Sequence, residues 1–448
     1  MATRGIWEVV SAHAVARPDS TALRGEAWSL TYASLRDSVL DTPTVDRSVD
    51  LVLADRAGAA VAAVLAAQRN RRPAALIPEA AGAGYRQSIR DSLVTAAIMG
   101  GPIAPADEGI ITATSGSTGV PKLVLHDPQG IDRFTAWVID RFKLDASTIS
   151  LVCSPMNFDV SLFDVWAVLR AGGTAAFADA ETVANASALV KQASQQKVTL
   201  IQAVPAVLTR LVATGLTLPA VETVVSTGDF FPTEKIDALR ETFPNAELVS
   251  IYGSTETNDT FINDIGSAAE GFIGETIAGV RARVEPASEP GTGTLHVLSP
   301  FQAIGYLNAS NEAWTTSAEQ RWFDTGDIVE ETPRGLRLLG RSDRVAKING
   351  NRVSLDDVEA VARTHPAVSS AIAVLHHAES KRLEVVVQLA PEASLSKLAL
   401  RTWMAQRLPR AALPARLWIM RAPFPLTSTG KVDRNATHRH ALREEQNA

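Results

Sequence analysis

Short apolar runs alternate with amphipathic helical stretches from about residue 109 onward, and this alternation constrains the fold more than any other feature. The runs are "ISLVCSP", "GTAAFAD", "VTLIQAV", "VETVVSTG" and "AELVSIYG". Alternation of short strands with helices is typical of a layered fold whose strands are largely parallel. The sequence therefore predicts the α/β class.

The first part of the chain indicates the same class. A helix is predicted over Ile6–Ala16, followed by a strand-like hairpin. In "WSLTYASLRD" a short β run precedes Thr31 and Ser34, which form a helix start signal. Residues 51–66 read as a strand followed by an alanine-rich helix, and "PAALIPE" predicts the next strand.

The pattern changes after residue 270, where glycine, proline and β runs predict a small antiparallel or barrel-like subdomain. A βαβ-like pattern follows, with helices predicted over Ser354–Thr364 and Leu395–Leu408. We place a domain boundary between these regions. Residues 1–342 are expected to form a large domain of layered mixed sheets and helices, and residues 343–448 a small, mobile α+β domain.

Composition excludes several classes of protein. The chain of 448 residues is 46% apolar and carries a net charge of −6, which argues against disorder and against a partner that is a nucleic-acid polymer or an anionic membrane. Its single cysteine, Cys153, cannot form an internal disulfide. Charges interrupt the apolar runs well short of about 18 residues, and Glu8 interrupts any signal peptide. We expect a soluble, cytoplasmic, multi-domain protein.

The segment "TSGSTGVPK", from Thr114 to Lys122, follows the predicted strand "GIITA" and has the composition of a phosphate-binding loop. Its glycines let backbone N–H groups surround an anion, its hydroxyls add donors, and Lys122 adds a positive charge. Pro121 stands five residues after Gly116, where a Walker loop requires glycine. A kinase or P-loop NTPase is for this reason a weaker alternative.

This segment resembles the phosphate-loop signature of the acyl-adenylate-forming (AMP-binding) superfamily. That group includes acyl-CoA synthetases, D-alanine–carrier-protein ligases and the adenylation domains of nonribosomal peptide synthetases. Further segments resemble its other signatures in the same order: "LTYASL" (30–35), "NFDVS" (157–161), "YGSTET" (252–257), "WFDTGD" (322–327), "GRSDRVAKINGNRVSLDDVE" (340–359) and "PLTSTGKVDR" (425–434). The resemblance covers nearly the whole chain and is closest to stand-alone amino-acid adenylation enzymes.

The resemblance implies a site for ATP and Mg²⁺ with three catalytic residues. Lys431 would bridge carboxylate and phosphate oxygens, Glu256 would bind Mg²⁺, and Lys122 would contact phosphate. Asp327 would accept hydrogen bonds from the ribose hydroxyls, and Arg341 would add a contact to ribose or phosphate. The expected ATP-binding residues are Thr114, Ser115, Gly116, Ser117, Thr118, Gly119, Gly228, Tyr252, Gly253, Ser254, Thr255, Asp327 and Arg341.

The resemblance also implies a hinge at Asp343, about which the small domain rotates. One orientation would bring Lys431 to the adenylate, and the other would bring the loop with Lys347 and Gly350 to the pantetheine arm of a thiol donor. Val345 and Asn349 stand where peptide-synthetase domains commonly have Gln and Arg. The acceptor, carrier protein or coenzyme A, therefore stays open.

Asp159 indicates the substrate class. It lies among apolar residues, and a partly buried carboxylate is costly without a cation. Amino-acid-activating members of the superfamily carry such an aspartate, so we expect Asp159 to bind an α- or β-ammonium group, with Asp164 as a weaker rival. The expected substrate pocket is Asp159, Val160, Phe163, Gln202, Val225, Thr227, Ile251, Asp259 and Thr260. Its polarity suggests a small or medium polar or cationic side chain.

We hypothesise an enzyme that forms aminoacyl-AMP from an amino acid and ATP and loads the phosphopantetheine of a carrier protein supplied in trans, in natural-product biosynthesis. The alternative is an acyl-CoA ligase acting on a non-amino acid. An alternative of another class is an inactive paralogue that binds carrier proteins, against which the intact Lys122, Glu256, Asp327 and Lys431 argue. The sequence leaves open whether a small activator protein takes part.

Overall fold

The chain forms two compact units in a computed structural model. The first comprises Met1–Glu285, Leu295–Thr325 and Glu331–Arg337, and the second Pro286–Thr294, Gly326–Glu330 and Leu338–Ala448. The residues described are 5–42, 49–54, 57–77, 87, 89–93, 109–114, 122–286, 291–317, 319–348, 351–377, 381–408, 410–426 and 432–446. Within those ranges, no helix has the length and apolar character needed to cross a lipid bilayer.

The strands up to residue 276 supply most of the framework of the first unit. They are β1 Thr21–Arg24, β2 Ser29–Thr31, β3 Asp50–Leu53, β4 Ala74–Ile77, β5 Ile110–Thr114, β6 Lys122–His126, β7 Ile149–Val152, β8 Thr174–Phe177, β9 Leu200–Ala203, β10 Thr223–Thr227, β11 Glu247–Ser254, β12 Asn258–Asp264 and β13 Glu275–Thr276. A nine-stranded sheet has the order β13-β12-β11-β10-β9-β7-β8-β1-β2. Its central strands are parallel, and β12, β13 and β2 add antiparallel edges.

Helices separate these strands along the chain, as the alternation predicts. They are α1 Ile6–Ala16, α2 Tyr32–Asp41, α3 Ala57–Arg69, α4 Pro128–Phe142, a π-helical segment Leu162–Ala167 that continues as α5 Val168–Ala171, α6 Ala180–Ala184, α7 Ala186–Gln195, α8 Pro205–Val212, α9 Ile236–Thr242 and α10 Ile265–Ala269. The predicted bounds of α1 are confirmed. Its residues Ile6, Val10 and Ala14 recur on one face and are buried. Thr31 caps α2 by accepting a hydrogen bond from the Ser34 amide, also as predicted.

Shorter strands follow in the glycine- and proline-rich region. They are β14 Arg281–Pro286, β15 Thr292–Leu298, β16 Gly305–Tyr306, β17 Trp314–Ser317, β18 Gln320–Thr332 and β19 Gly335–Arg341. Strand β16 joins a five-stranded sheet of order β16-β6-β5-β4-β3. Strands β17 and β18 pair antiparallel, in agreement with the predicted antiparallel character of this region.

The second unit contains a three-stranded sheet with helices on both faces. Its elements are β20 Val345–Ile348, β21 Asn351–Ser354, α11 Leu355–Arg363, β22 Val368–His377, β23 Lys381–Leu389, α12 Lys397–Ala405, β24 Arg416–Met420 and α13 Arg434–Gln446. Side chains of α11 and α12 pack with one apolar cluster of the sheet β22-β23-β24, and α13 packs with another. The predicted α/β class is confirmed, and the helices predicted over 354–364 and 395–408 are present over Leu355–Arg363 and Lys397–Ala405.

Parallel strands place their carboxyl ends at the same edge of a sheet, where ligands of such folds bind. Strands β9, β10 and β11 are parallel neighbours in register. Their buried apolar side chains pack on one face with α7, α8 and α9. The predicted site residues in this region either follow these strands or have side chains on the opposite face of the sheet.

Candidate active site

The two ends of the predicted phosphate loop lie side by side. Thr114 is the last residue of β5, Lys122 is the first of β6, and the two are opposite each other in an antiparallel ladder. Asn308 accepts a hydrogen bond from the Leu123 amide at 2.8 Å, which fixes the strand just after Lys122. The predicted loop residues Ser115, Gly116, Ser117, Thr118 and Gly119 lie outside the described residues.

Lys122 and Glu256, both predicted to be catalytic, contact the same tyrosine. The Tyr306 hydroxyl donates a hydrogen bond to Oε1 of Glu256 at 2.5 Å. The Nζ of Lys122 lies 4.8 Å from the centroid of the Tyr306 ring. Tyr306 is buried, and β16 holds it against β6, where it pairs with Val124. Tyr306, positioned by the pairing of β16 with β6, therefore contacts both a cation and a carboxylate beside the end of the phosphate loop.

Tyr306 was not indicated by the sequence pattern. Strand β16 has two residues, too few to show the alternation that identifies a strand. The available signal is composition, because tyrosine occurs only four times in the chain. One of these tyrosines, Tyr252, was predicted to bind ATP, and Tyr306 was not.

Glu256 suits a magnesium ion whose other ligands come from phosphate. The side chain is half-buried, and Tyr306 and Ala303 fix it by hydrogen bonds to its carboxylate and its backbone carbonyl. Mg²⁺ binds through one or two carboxylates together with substrate phosphates, rather than through an all-protein cage. Among the described residues, no three His, Cys, Asp or Glu side chains come together to hold a metal. The residues present fit a Mg²⁺ site in which Glu256 is the protein ligand and phosphate oxygens of the substrate supply other ligands.

Two of the predicted ATP-binding residues, Gly228 and Tyr252, lie at the carboxyl edge of the nine-stranded sheet. Thr227 and Ile251 are opposite each other in β10 and β11, so the following residues Gly228 and Tyr252 are neighbours. Thr260 donates to the carbonyl of Tyr252 at 3.2 Å. The backbone of β12 approaches Gly253 so closely that a Cβ there would overlap the carbonyl oxygen of Asn258.

Ser254 and Thr255 complete this turn. The Ser254 hydroxyl forms a hydrogen bond of 3.0 Å with the hydroxyl of Thr257, which is itself buried. Thr255 is half-buried. The turn that carries Glu256 is therefore held by hydroxyl contacts on its carboxyl-terminal side.

Asp327 and Arg341, predicted to contact ribose, form an ion pair within the second unit. Nη1 of Arg341 lies 3.2 Å from Oδ1 of Asp327. The Asp327 side chain is 13% exposed and that of Arg341 is 50% exposed, so the carboxylate is the anchored member. Gly326 adopts a positive φ of 69°, and a Cβ there would lie 3.2 Å from the Arg341 guanidinium.

Several predicted pocket residues share one face of the nine-stranded sheet. Residues opposite each other in neighbouring strands have side chains on the same face. Such pairs are Gln202 with Val225 and Thr227 with Ile251. Gln202 is 1% exposed, and its Oε1 has no hydrogen-bond partner among the described residues. This face is therefore polar as well as buried.

The π-helical segment packs against β7 and β9, and the remaining pocket candidates lie in it or just before it. Asp159 and Val160 are half-buried. Phe163 is fully buried, and its ring contacts Phe142 of α4 at a centroid distance of 5.1 Å. Its observed ring contact is thus with a helix rather than with another pocket candidate.

Asp159 and Asp259 are close enough for their charges to interact. Burial, and then the negative charge of Asp159, raise the pKa of Asp259 to about 8. Asp159 accepts a hydrogen bond from the Val160 amide at 3.2 Å. A carboxylate pair of this kind is stabilised by a proton or by a bound cation.

Replacing Asp259 with asparagine is expected to stabilise the protein more at about pH 8 than at about pH 5. Between the ordinary value of 3.8 and about 8, the unfolded state loses the Asp259 proton while the folded state keeps it. The unfolded state then binds fewer protons, so stability falls as pH rises through this window. Asparagine does not titrate. Urea unfolding of both proteins across this range measures the difference.

Asp179→Asn provides the matched control. Hydrogen bonds from Thr182 lower the pKa of Asp179, so its effect on stability develops below the ordinary value of 3.8. Its difference from the parent protein is expected to stay level between about pH 5 and about pH 8. An equally level difference for Asp259→Asn would contradict the raised pKa of Asp259.

Asp164, the rival of Asp159, lies in a different setting. It is fully buried in the π-helical segment, and neither carboxyl oxygen has a hydrogen-bond partner among the described residues. Burial raises its pKa well above the usual range, and Asp164 in turn adds to the burial effect that raises the pKa of Cys153. The raised pKa favours the neutral carboxyl form of Asp164, which makes it a weaker partner for an ammonium group than an ionised carboxylate.

The predicted hinge and lysine segments are described in part. Asp343 lies in a 3₁₀ turn, Ser342–Arg344, and Lys347 in β20 is opposite Arg352. Lys431 and Gly350 lie outside the described residues. The chain on both sides of 427–431 is closed by a bridge between Leu426 and Val432.

A protein-family model described as "AMP-binding enzyme" matches residues 44–307, more than half of the chain. The L-proline–[L-prolyl-carrier protein] ligase of Pseudomonas fluorescens is 27% identical over 380 residues, covering 81% of this chain and 74% of that protein. The D-alanine–D-alanyl carrier protein ligase of Bacillus cereus is 27% identical, covering 72% and 69%. One of the linear gramicidin synthase proteins of Brevibacillus parabrevis is 28% identical over 74% of this chain, which spans 7% of that protein's length.

Solved structures share the fold at lower identity. The O-succinylbenzoate coenzyme A synthetase of Bacillus subtilis in complex with AMP superposes with a TM-score of 0.82 at 19% identity, covering 96% of this chain and 98% of that chain. The four-domain nonribosomal peptide synthetase AB3403, bound to AMP and glycine, gives a TM-score of 0.80 at 20% identity, covering 97% of this chain and 36% of that chain. These likenesses establish the fold.

Proposed function

Because the chain belongs to the family of AMP-binding enzymes, we propose that it is an ATP-dependent, AMP-forming ligase for an amino acid. It would pass the aminoacyl group to the phosphopantetheine thiol of a separate carrier protein. The observation that carries the proposal is the convergence of Lys122 and Glu256 on Tyr306 at the end of the phosphate loop. One cation for phosphate and one carboxylate for Mg²⁺ are the charges that this chemistry needs.

In the first half-reaction, an oxygen of the amino-acid carboxylate attacks the α-phosphorus of ATP. The bond from that phosphorus to pyrophosphate breaks, and pyrophosphate leaves with its electron pair. Lys122 and the phosphate loop would bind the phosphates, and Lys431 would neutralise the approaching carboxylate and the α-phosphate. Glu256 would hold Mg²⁺, which supplies positive charge to the phosphates. Asp327, oriented by Arg341, would accept the ribose hydroxyls.

In the second half-reaction, the thiol sulfur attacks the aminoacyl carbonyl carbon. The bond from this carbon to the AMP oxygen breaks, AMP leaves, and the thiol proton passes to solvent or base. We assign residues 343–448 to a lid that rotates about Asp343 between the steps, with Lys347 and Gly350 near the thiol arm. The relatives that are carrier-protein ligases by name support a carrier as acceptor.

Asp159 supports an amino acid as the substrate. A half-buried carboxylate with a second carboxyl group, Asp259, nearby is stabilised by the ammonium group of an incoming amino acid. Gln202, Thr227 and Thr260 add polar side chains to the proposed pocket, which favours a small or medium polar side chain on the substrate. Matches to several linear gramicidin synthase proteins support a role in natural-product biosynthesis.

ATP–pyrophosphate exchange over a panel of amino acids and simple carboxylic acids tests the proposal. Exchange with a subset of amino acids, but not with their des-amino analogues, is the expected result. Coenzyme A and free phosphopantetheine are then offered as thiols. Exchange only with non-amino acids, accompanied by coenzyme A thioester formation, would make the chain an acyl-CoA ligase, and no exchange with any acid would refute adenylation.

Tyr306→Phe is expected to lower adenylate formation by about 10–100-fold at low Mg²⁺, because a hydrogen bond to a charged group contributes about 1.5–3 kcal/mol. The substitution removes the hydroxyl that contacts Glu256 and keeps the ring that underlies Lys122. Higher Mg²⁺ should recover part of the rate. Exchange rates over a Mg²⁺ titration provide the measurement.

Tyr32→Phe is the matched control for this substitution. Tyr32 is buried and donates to the carbonyl of Gly173 at 2.8 Å, so it also loses a buried hydroxyl contact. It is expected to cost stability without changing the Mg²⁺ requirement. The same Mg²⁺ requirement in Tyr306→Phe and the parent enzyme would show that Tyr306 does not position Glu256.

A further inference from the structure

One buried carboxylate in the second unit binds arginines from two distant segments. The Glu359 side chain of α11 is 3% exposed. Its Oε1 lies 2.5 Å from Nη2 of Arg344, and its Oε2 lies 2.7 Å from Nη2 of Arg434. The Ala373 amide also donates to Oε1 at 2.7 Å. A buried carboxylate is tolerated only when it is paired and hydrogen-bonded, and Glu359 meets both conditions.

The two arginines belong to the two segments that the proposed mechanism requires to move as one body. Arg344 follows the proposed hinge residue Asp343 and also pairs with Asp356 at 2.5 Å. Arg434 is the first residue of α13, three positions after Lys431. A single side chain therefore joins the start of the lid to the segment that carries its lysine.

The backbone around Arg434 is fixed in several ways. Leu426 and Val432 form an antiparallel bridge, and the Asp433 amide donates to the carbonyl of Pro425 at 2.8 Å. Asp433 also caps α13 by accepting from the Ala436 amide at 2.8 Å. The chain is thus held at Leu426 and at Val432–Asp433, and Arg434 connects the second of these positions to α11.

We propose that Glu359 is a positioning residue that fixes the distance between the hinge segment and the Lys431 segment, so that rotation of the lid delivers Lys431 in one defined geometry. This inference rests on the proposed function. Misplacing a catalytic group by about 1 Å can cost about 100-fold in rate. Loss of Glu359 should therefore lower the rate constant of adenylate formation while leaving the KM values for ATP and amino acid near those of the parent.

Glu359→Gln keeps the size of the side chain and removes its charge. It is expected to lower kcat for adenylation by about 100-fold. In a Lys431→Ala background the same change should lower the residual rate by less than about threefold, since residues that act as a unit are not additive. A loss carried by KM, or a further large loss in the Lys431→Ala background, would overturn the proposal.

Hydrogen exchange tests the anchor without reference to activity. Glu359→Gln should accelerate exchange in both segments 342–348 and 432–440. Arg434→Gln should accelerate it in 432–440 alone, and this variant is expected to fold because the Arg434 side chain is 40% exposed. Unchanged exchange in either segment of Glu359→Gln would overturn the proposal. If Glu359→Gln does not fold, the kinetics of Arg434→Gln test the proposal instead. This variant should lower kcat without raising KM.

Asp132→Asn is the matched control, because Asp132 is also a buried carboxylate, 7% exposed, that pairs with an arginine, Arg170, at 2.5 Å. It lies in the first unit and is expected to cost stability but to change neither kcat nor exchange in the two segments. An equal fall in kcat for Asp132→Asn would reduce Glu359 to a general structural role. Absence of adenylation activity in the parent protein would refute the proposed function. The hydrogen-exchange experiment would still test whether Glu359 holds the two segments together.

Discussion

Lys431→Ala is expected to lower adenylate formation by about 100–1,000-fold, the loss that accompanies removal of one preorganised charge or donor from a transition state. The reaction brings a carboxylate against an α-phosphate, and both are anions. Lysine is a compact point charge on a long side chain, which suits it to bridge the two. Single-turnover formation of aminoacyl-AMP, at saturating ATP and amino acid, measures the effect on the chemical step.

The comparison variant is Lys397→Ala. Lys397 begins α12 in the same unit and is exposed, so its replacement removes an equal charge without a proposed role in the reaction. Both variants are expected to retain the thermal stability of the parent. Transfer from preformed aminoacyl-AMP to a thiol should be largely retained in Lys431→Ala, because the lysine is assigned to the first half-reaction. Normal adenylation by Lys431→Ala would remove the role proposed for it.

The periodic features of the chain were predictable because local sequence determines them. In α1, apolar residues recur at the spacing of one helix face, and Thr31 with Ser34 marks the start of α2. The β runs of the nine-stranded sheet are apolar because both faces of its parallel strands are covered. The antiparallel edge strands do not show this apolar pattern. A strand such as β12 is identified by its pairing with β11 rather than by its own sequence.

The features that were missed depend on long-range contacts. Tyr306 joins Glu256 across 50 residues, and Arg434 joins Glu359 across 75, and no spacing rule connects residues so far apart. The helix α13 was also missed. Its sequence, "RNATHRHALREEQ", has few apolar residues and shows no apolar stripe. Its burial is limited to small side chains such as Thr437 and Ala441, which periodicity does not reveal.

The polar pocket shows both the reach and the limit of sequence reasoning. The resemblance placed Asp159 and Asp259 in one pocket, and the structure shows that their charges interact. The resemblance did not indicate that Asp259 would bind a proton at neutral pH. That property comes from the desolvation of Asp259 and from the negative charge of Asp159, both of which depend on the folded structure around β11 and β12.

Asp159→Asn is expected to reduce kcat/KM for the amino acid by about 100–1,000-fold, because removing one partner of a buried charge pair costs about 2–5 kcal/mol. In this variant the bound ammonium group loses its counter-charge in a half-buried site. The KM for ATP should change little. The des-amino analogue, which lacks the ammonium group, should bind Asp159→Asn no worse than the parent, so the ratio of the two specificities isolates the charge interaction.

Asp164→Asn decides between the two candidate aspartates. Burial raises the pKa of Asp164 and so favours its neutral form, and asparagine is neutral and nearly the same size, so selectivity for the ammonium group should persist in this variant. The selectivity of Asp259→Asn for the ammonium group should lie between those of Asp159→Asn and Asp164→Asn. Asp259 lies near the negative charge of Asp159 and holds a proton below about pH 8. Loss of selectivity in Asp164→Asn, with selectivity retained in Asp159→Asn, would transfer the ammonium site to Asp164. In that case the substrate amine would have to enter the fully buried space beneath the π-helical segment, which requires that segment to open.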